Sequence, residues 1–418
     1  MEEVLQSAAT VRIIDYAEPQ FTPDVAALMD AIAPMAADLR LETDAVMAEA
    51  SEQSGLDDFG EPSFRDRLDV LLHGLRDEVE LSPFGVLGNH SLVVQLLKNR
   101  LLFEDVWRRH PEIADERVER PIIICGLPRT GTTHLHNLIS ADPALRSLPY
   151  WESLEPIAVP DEEPDGRRAR TELAVDTVNA VMPLFPRMHE MTVDHVHEEI
   201  QLLAIDFSSM LFETMGPMPS WHDWYRDHDQ TPHYRYLYRV LQALQWLRGP
   251  KRWVLKSPQH LEQFGPLRTV FPDATFVVTH RDPVAVVASM ITMLAYTARM
   301  TIARPDPKAY GAYWMPRLER MLRACARDHE QLPANQTIDV HFDAFMADDV
   351  AMVERIYTIA GQPMTDDVRR AMDAFMETHP RGRHGGIAYD LAQLGIDPDE
   401  RRKALQFYVD RFDIDVER

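Results

Sequence analysis

Residues 121–140 read PIIICGLPRTGTTHLHNLIS, and this stretch restricts the fold more than any other part of the chain. The run Ile122-Ile123-Ile124-Cys125 is apolar without alternation, as expected of a strand buried on both faces. Gly126 and Gly131 then punctuate a turn, and Leu135, Leu138 and Ile139 recur at helical spacing. A buried strand feeding a glycine-rich turn and a helix is the opening unit of a parallel sheet with an anion-binding edge. A Walker loop reads G-x-x-x-x-G-K-[ST], and here the two glycines keep that spacing while Thr132 stands where the lysine should be. The turn is expected to offer backbone N–H groups, a helix dipole, the Thr132 and Thr133 hydroxyls and the Arg129 guanidinium to an anion. The missing lysine argues against ATP hydrolysis with magnesium. The plainer alternative is a tight turn that needs glycine only for its backbone.

The same grammar recurs downstream. RWVLK at 252–256, TFVVTH at 275–280 and TIDVH at 337–341 read as strands. Ser257 and Asp282 stand at cap positions, each followed by a proline, and FGPLRTVFP reads as a break that keeps the helix after Ser257 short. This pattern predicts an α/β fold: a P-loop-type parallel sheet flanked by helices, with an N-terminal helical region and a helical insertion. Residues 1–115 are expected to be helical and to pack on a core domain of residues 116–418, with Phe64, Leu68, Leu71, Leu72 and Leu75 on one face and Leu92, Val93, Leu96 and Leu97 on another. Residues 152–250, rich in Met, Trp, Tyr and His, are expected to form a helical lid or wall over the ligand edge.

Charge narrows the partners. Lys plus Arg minus Asp plus Glu is 43 − 67 = −24, which excludes a general nucleic-acid binder and argues against polyanionic acceptors. Any anionic ligand must meet a local island of basic groups. The two cysteines, Cys125 and Cys325, rule out a disulfide framework and suit a reducing cytoplasm. The acidic start, MEEVLQSAAT, argues against a secretory signal, and no apolar run reaches the roughly 20 residues of a membrane span.

Two further stretches carry chemistry. In THRDPVAVVASM, Arg281 ends a strand and Ser289 follows eight residues later, two turns into a helix. In VLKSPQHL, Lys256 closes a buried strand, where a lysine is rarely tolerated without an anion to meet. His260, in the first turn that follows, where a helix dipole opposes protonation, is a general-base candidate, or else a capping-region histidine facing solvent.

Together these pieces resemble the sulfotransferases that use 3′-phosphoadenosine 5′-phosphosulfate (PAPS). GLPRTGTT resembles their 5′-phosphosulfate loop, P-K-[ST]-G-T-T, with Arg129 at the basic position. HRDPVAVVAS resembles their 3′-phosphate motif, matching at Arg281 and Ser289 and departing at Asp282, where Asn is usual. LKSPQH resembles the segment carrying a Lys and a His in the cytosolic branch, with K-x-x-x-H here in place of K-x-H. Softer similarity to a bacterial-type branch extends over residues 54–412.

The resemblance implies that Pro128, Arg129, Thr130, Gly131, Thr132, Thr133, Arg281 and Ser289 hold PAPS. A basic, glycine-rich loop with Arg381 and Arg383 closes over the 3′-phosphate, unless it is a solvated turn. Lys256 and Arg129 would neutralise charge on the bridging oxygen as it leaves, and no metal is required between phosphates. Three candidates compete for the base: Glu152, placed 19 residues after Thr133 as in the tyrosyl-protein and glycan branches; His260; and the cluster His195, His197, Glu198 and Glu199 in DHVHEEIQ, read as a helix start. The pair of histidines beside two glutamates hints at a metal, but nothing later supplies H-x-x-x-H or C-x-x-C, so none is assigned. The implied partner is a small, largely apolar acceptor with a hydroxyl or phenol, with a homodimer left open. The competing classes are a P-loop small-molecule kinase and a catalytically silent nucleotide-binding scaffold.

Overall fold

The structure, a computed structural model, describes residues 10–160 and 162–417. Nine of the ten residues read against a secretory signal therefore lie outside the described residues. Five parallel strands form the central sheet: β1 (Ile122–Cys125), β2 (Leu145–Arg146), β3 (Arg252–Ser257), β4 (Thr275–His280) and β5 (Thr337–His341), in the order β2-β3-β1-β4-β5. The three long strands read from the sequence stand where expected. The edge strand β2 was not foreseen, because two residues leave no periodicity to read.

Alternation along the strands splits the core in two. Ile123, Cys125, Leu255, Phe276 and Val278 join a cluster that continues through Leu68, Leu97 and Phe103 of the N-terminal helices. Ile122, Ile124, Val254 and Val277 face the other way, onto Leu135, Leu138, Val353 and Ile356. Both faces of the sheet are thus covered, which is why the centres of its inner strands β1, β3 and β4 are continuous apolar runs.

Four helices position the site. Helix α1 (Pro83–Arg109) is capped by Ser82, whose hydroxyl accepts from the Gly85 N–H at 3.0 Å. Helix α2 (Thr132–Ser140) leaves the loop after β1. Helix α3 (Gly166–Val181) belongs to the insertion, and helix α4 (Pro283–Thr301) follows β4, with Asp282 accepting from the Val284 N–H at 2.9 Å. Among the described residues α4 is the one helix long and apolar enough to cross a membrane, and 78% of its apolar window is buried inside the protein.

Two local readings need correction. FGPLRTV does not break a helix; it is one, Phe264–Val270, with its proline in the first turn where no N–H is needed. The residues before it, Pro258–Glu262, form a 3-10 turn. DHVHEEIQ is not yet helical at its histidines: Val196–His197 pairs antiparallel with Leu148–Pro149, and the helix starts at Ile200.

Candidate active site

Strand register brings the loops together. Cys125 pairs with Ser257 on one side and with Val278 on the other, so residues 126, 258 and 279 leave the same sheet edge. Gly126 lies against β4: a Cβ there would come within 1.8 Å of Thr279 Oγ1, so only glycine fits. Thr130 accounts for the anchoring, with its hydroxyl 2.7 Å from the Leu127 carbonyl and 2.7 Å from Thr279 Oγ1. Arg129 (φ 74°) and Gly131 (φ 85°) are both left-handed, which curls the loop into the N-terminus of α2.

Gly131, Thr132 and Thr133 line a cavity of about 690 Å³ together with Arg281 and Arg383. Arg281 lies over the Phe342 ring at 4.1 Å and donates to the Arg129 carbonyl at 2.7 Å. Its remaining donors grip the Glu417 carboxylate at 2.6 and 3.0 Å. Arg383 donates from Nη2 to both carboxylate oxygens of Glu190. Arg381 donates to the Met346 carbonyl at 2.8 Å and pairs with Asp349, outside the cavity lining.

Ser289 is buried and is reached by other protein groups: Arg129 Nε donates to its hydroxyl at 2.9 Å and the Tyr389 hydroxyl donates to it at 2.8 Å. Arg129 also donates to the Met188 carbonyl. It therefore bridges loop, α4 and insertion.

A second cavity, about 400 Å³, opens on the other side of Arg129 and Thr133, which line both. Its wall holds Pro128 and is otherwise largely apolar, with Met182, Met188, Met191, Met210, Met290 and Met293. Two charged groups besides Arg129 reach it, Lys256 and Glu198, and they pair with each other. The Lys256 backbone N–H donates to Glu199 at 2.7 Å. Burial pushes the Glu199 carboxyl up, but His260 and that N–H outweigh it, and its pKa lies below the usual carboxylate range.

Neither Glu152 nor His260 lines a cavity. His260 is fully buried behind the second cavity, bonded to Glu199 and, at 2.7 Å, to the Tyr234 hydroxyl. It neither faces solvent nor lines either cavity. Glu152 is buried between Arg146, at 3.0 and 3.2 Å, and Arg248, at 3.0 Å, and also lines neither cavity.

Three groups escaped the sequence reading. Glu190 and Glu417 occupy arginines across more than a hundred residues, a pairing with no local signal. His189 approaches His195 and His197, and one ring nitrogen from each lies within 4.8 Å of the others. Burial holds His189 down to about 3 and His195 to about 4. The Met-rich run MPLFPRMHEM, which supplies His189 and part of the apolar wall, was the available clue.

A sequence model described as "Sulfotransferase family" matches residues 121–366. Among solved structures, the chain is similar to the sulfotransferase STF1 from Mycobacterium tuberculosis H37Rv, with 31% identity over 86% of this chain and 97% of that one and a TM-score of 0.75. It is also similar to the sulfotransferase STF9 from Mycobacterium avium, with 27% identity over 91% of this chain and 99% of that one and a TM-score of 0.81. The comparison with curated proteins gives no match.

Proposed function

From the premise that the chain belongs to the sulfotransferase family, we propose that it moves a sulfuryl group from PAPS to a hydroxyl or phenol of a small, largely apolar acceptor. The observation that carries this reading is the pair of cavities sharing Arg129 and Thr133 as a common wall, one more polar and beside the loop, the other methionine-rich with Lys256 and Glu198 in its lining. Such a wall is where a group could pass in line from donor to acceptor.

The donor fits the first cavity on chemical grounds. Its loop turns through the left-handed Arg129 and Gly131, and the start of α2 supplies N–H groups and a positive dipole end. Gly131, Thr132 and Thr133 would hold the 5′-phosphosulfate. Arg281, with Ser289 behind it and Arg383 across the cavity, would hold the 3′-phosphate. PAPS supplies an activated sulfuryl group, and its transfer passes through a loose transition state like that of phosphoryl transfer.

The chain's own residues do the rest. Lys256, released from Glu198, places its ammonium where charge develops on the bridging oxygen, and Arg129 adds a second cation. Glu198 takes the proton of the acceptor hydroxyl as the new S–O bond forms and the old one breaks. Glu199 and His260 act behind them: they fix the Lys256 backbone and touch no reacting atom. Glu152 fixes Arg146 and Arg248. Methionine side chains adapt to irregular apolar shapes, which suits an apolar acceptor over a charged one. The buried free thiols of Cys125 and Cys325 suit the cytoplasm as the compartment.

Calorimetric titration tests the donor. Tight binding of 3′-phosphoadenosine 5′-phosphate and no binding of ATP is expected; the opposite pattern would return the kinase reading. Lys256→Ala should lower turnover by roughly 10²–10³ with bisphosphate binding retained. Unchanged turnover of a labelled acceptor would sink the proposed role of the lysine, and no turnover by the unaltered chain on any acceptor would favour the silent scaffold.

A further inference from the structure

We propose that His189, His195 and His197 form a binding site for a borderline divalent transition-metal ion, of the zinc class, in the wall between the two cavities. The proposal stands apart from sulfuryl transfer and uses none of its residues. His195 and His197 flank Val196 at the start of a two-residue ladder, and positions two apart on an extended chain point to one side. Their rings meet, with His197 Nδ1 and His195 Nε2 3.1 Å apart. His189 arrives from the loop before them, its ring edge-on to His195 at 5.6 Å between centroids.

One nitrogen from each ring lies within 4.8 Å of the others. Zn–N bonds of about 2.0–2.1 Å set tetrahedral ligands roughly 3.4 Å apart, so a small contraction would close the set. Tyr150 stacks on His195 at 5.5 Å and 4° and packs on His197 at 4.7 Å, which fixes both rings.

Two features point to a ligand. His197 is only 7% exposed, and the nitrogens that meet, His197 Nδ1 and His195 Nε2, have no partner but each other among the described residues, while the opposite nitrogens, His197 Nε2 and His195 Nδ1, are buried and have none. Buried ring nitrogens without partners are costly and call for an explanation. The donors are three imidazoles with no thiolate or carboxylate among them, a set that favours zinc, cobalt, nickel or copper over magnesium or calcium. Lys256 and Arg129 oppose a dication here, and the Glu190 carboxylate beside His195 works against them. Three protein ligands leave a coordination position open, and His195 lines the first cavity while His189 and His197 line the second.

The test uses the full chain after treatment with a chelator. Cobalt chloride alone should produce visible ligand-field bands that saturate at one ion per chain, and zinc chloride should displace the cobalt in calorimetry. His189→Ala and His195→Ala, at half-buried positions, should each weaken cobalt binding by roughly tenfold or more. Circular dichroism checks that both variants remain folded; if His195→Ala unfolds, His189→Ala alone decides. Absence of saturable cobalt binding would overturn the proposal, as would binding unaltered in folded His189→Ala. Magnesium binding with equal affinity would overturn the assigned metal class.

Discussion

Glu198 and Glu199 are neighbours in sequence with opposite surroundings. Glu198 reaches a cavity and pairs with a lysine, while Glu199 is buried against His260 and a backbone N–H. Glu198→Gln should therefore lower kcat by roughly 10²–10⁴ with bisphosphate affinity unchanged. Glu152→Gln should do the reverse, because it leaves Arg146 buried beside a neutral amide. We expect a stability loss of about 3 kcal/mol in chemical denaturation and normal turnover of the folded protein. The opposite result for the two variants would return the base role to Glu152. At this scale the sequence was partly legible. A lysine closing a buried strand demanded an anion, and one of the glutamates in DHVHEEIQ provides it. The burial of His260 could not be read, since residue spacing says nothing about which side chains the insertion covers.

The strands β1, β3 and β4 were legible as elements because burial on both faces writes itself as apolar runs, and the edge strand β5 because Ile338 and Val340 alternate with polar residues. The two-residue strands were not, because tertiary pairing and not local propensity creates them. The seam between the glycine loop and β4 yields a sharp test. Gly126→Ala would drive a methyl into Thr279 Oγ1, and overpacking of this kind costs about 1–3 kcal/mol. Bisphosphate affinity should fall with it, since the loop must shift to make room; unchanged affinity would show that the loop does not depend on that contact.

Helix α2 gives a pH dependence. His136 is fully buried with its Nε2 3.4 Å from the Val254 carbonyl, and burial lowers its pKa from 6.5 to about 3. The neutral form is the one the fold accepts, so the unfolded chain binds the proton first as pH falls. The stabilisation is complete above pH 6.5 and is lost on the way down to about 3. His136→Gln should flatten the acid limb of unfolding free energy against pH by up to one proton, and an unchanged slope would contradict the assignment.

Across the whole molecule one hydrophobic cluster joins the N-terminal helices to a face of the sheet. Gly85 of α1 sits where that joint is tightest: a Cβ would lie 2.0 Å from the Thr301 carbonyl oxygen of α4. Alanine ordinarily adds up to about 1 kcal/mol to a helix, whereas forcing backbone apart costs about 1–3. Gly85→Ala should lower stability on balance. Loss of tryptophan fluorescence and loss of bisphosphate binding should still occur at one denaturant concentration. Two separate transitions would mean that the helices and the sheet fold independently.

Two cations of the first cavity are already occupied from within: Arg281 by Glu417 and Arg383 by Glu190. On the proposed reading, nucleotide entry would be an exchange of anions in which the displaced partner remains tethered, so its local concentration ignores the buffer. Rising ionic strength should erode bisphosphate affinity less than two freely hydrated cations would suggest. Glu417→Gln should tighten binding and make it more responsive to chloride, because a solvent ion would then replace the leashed competitor.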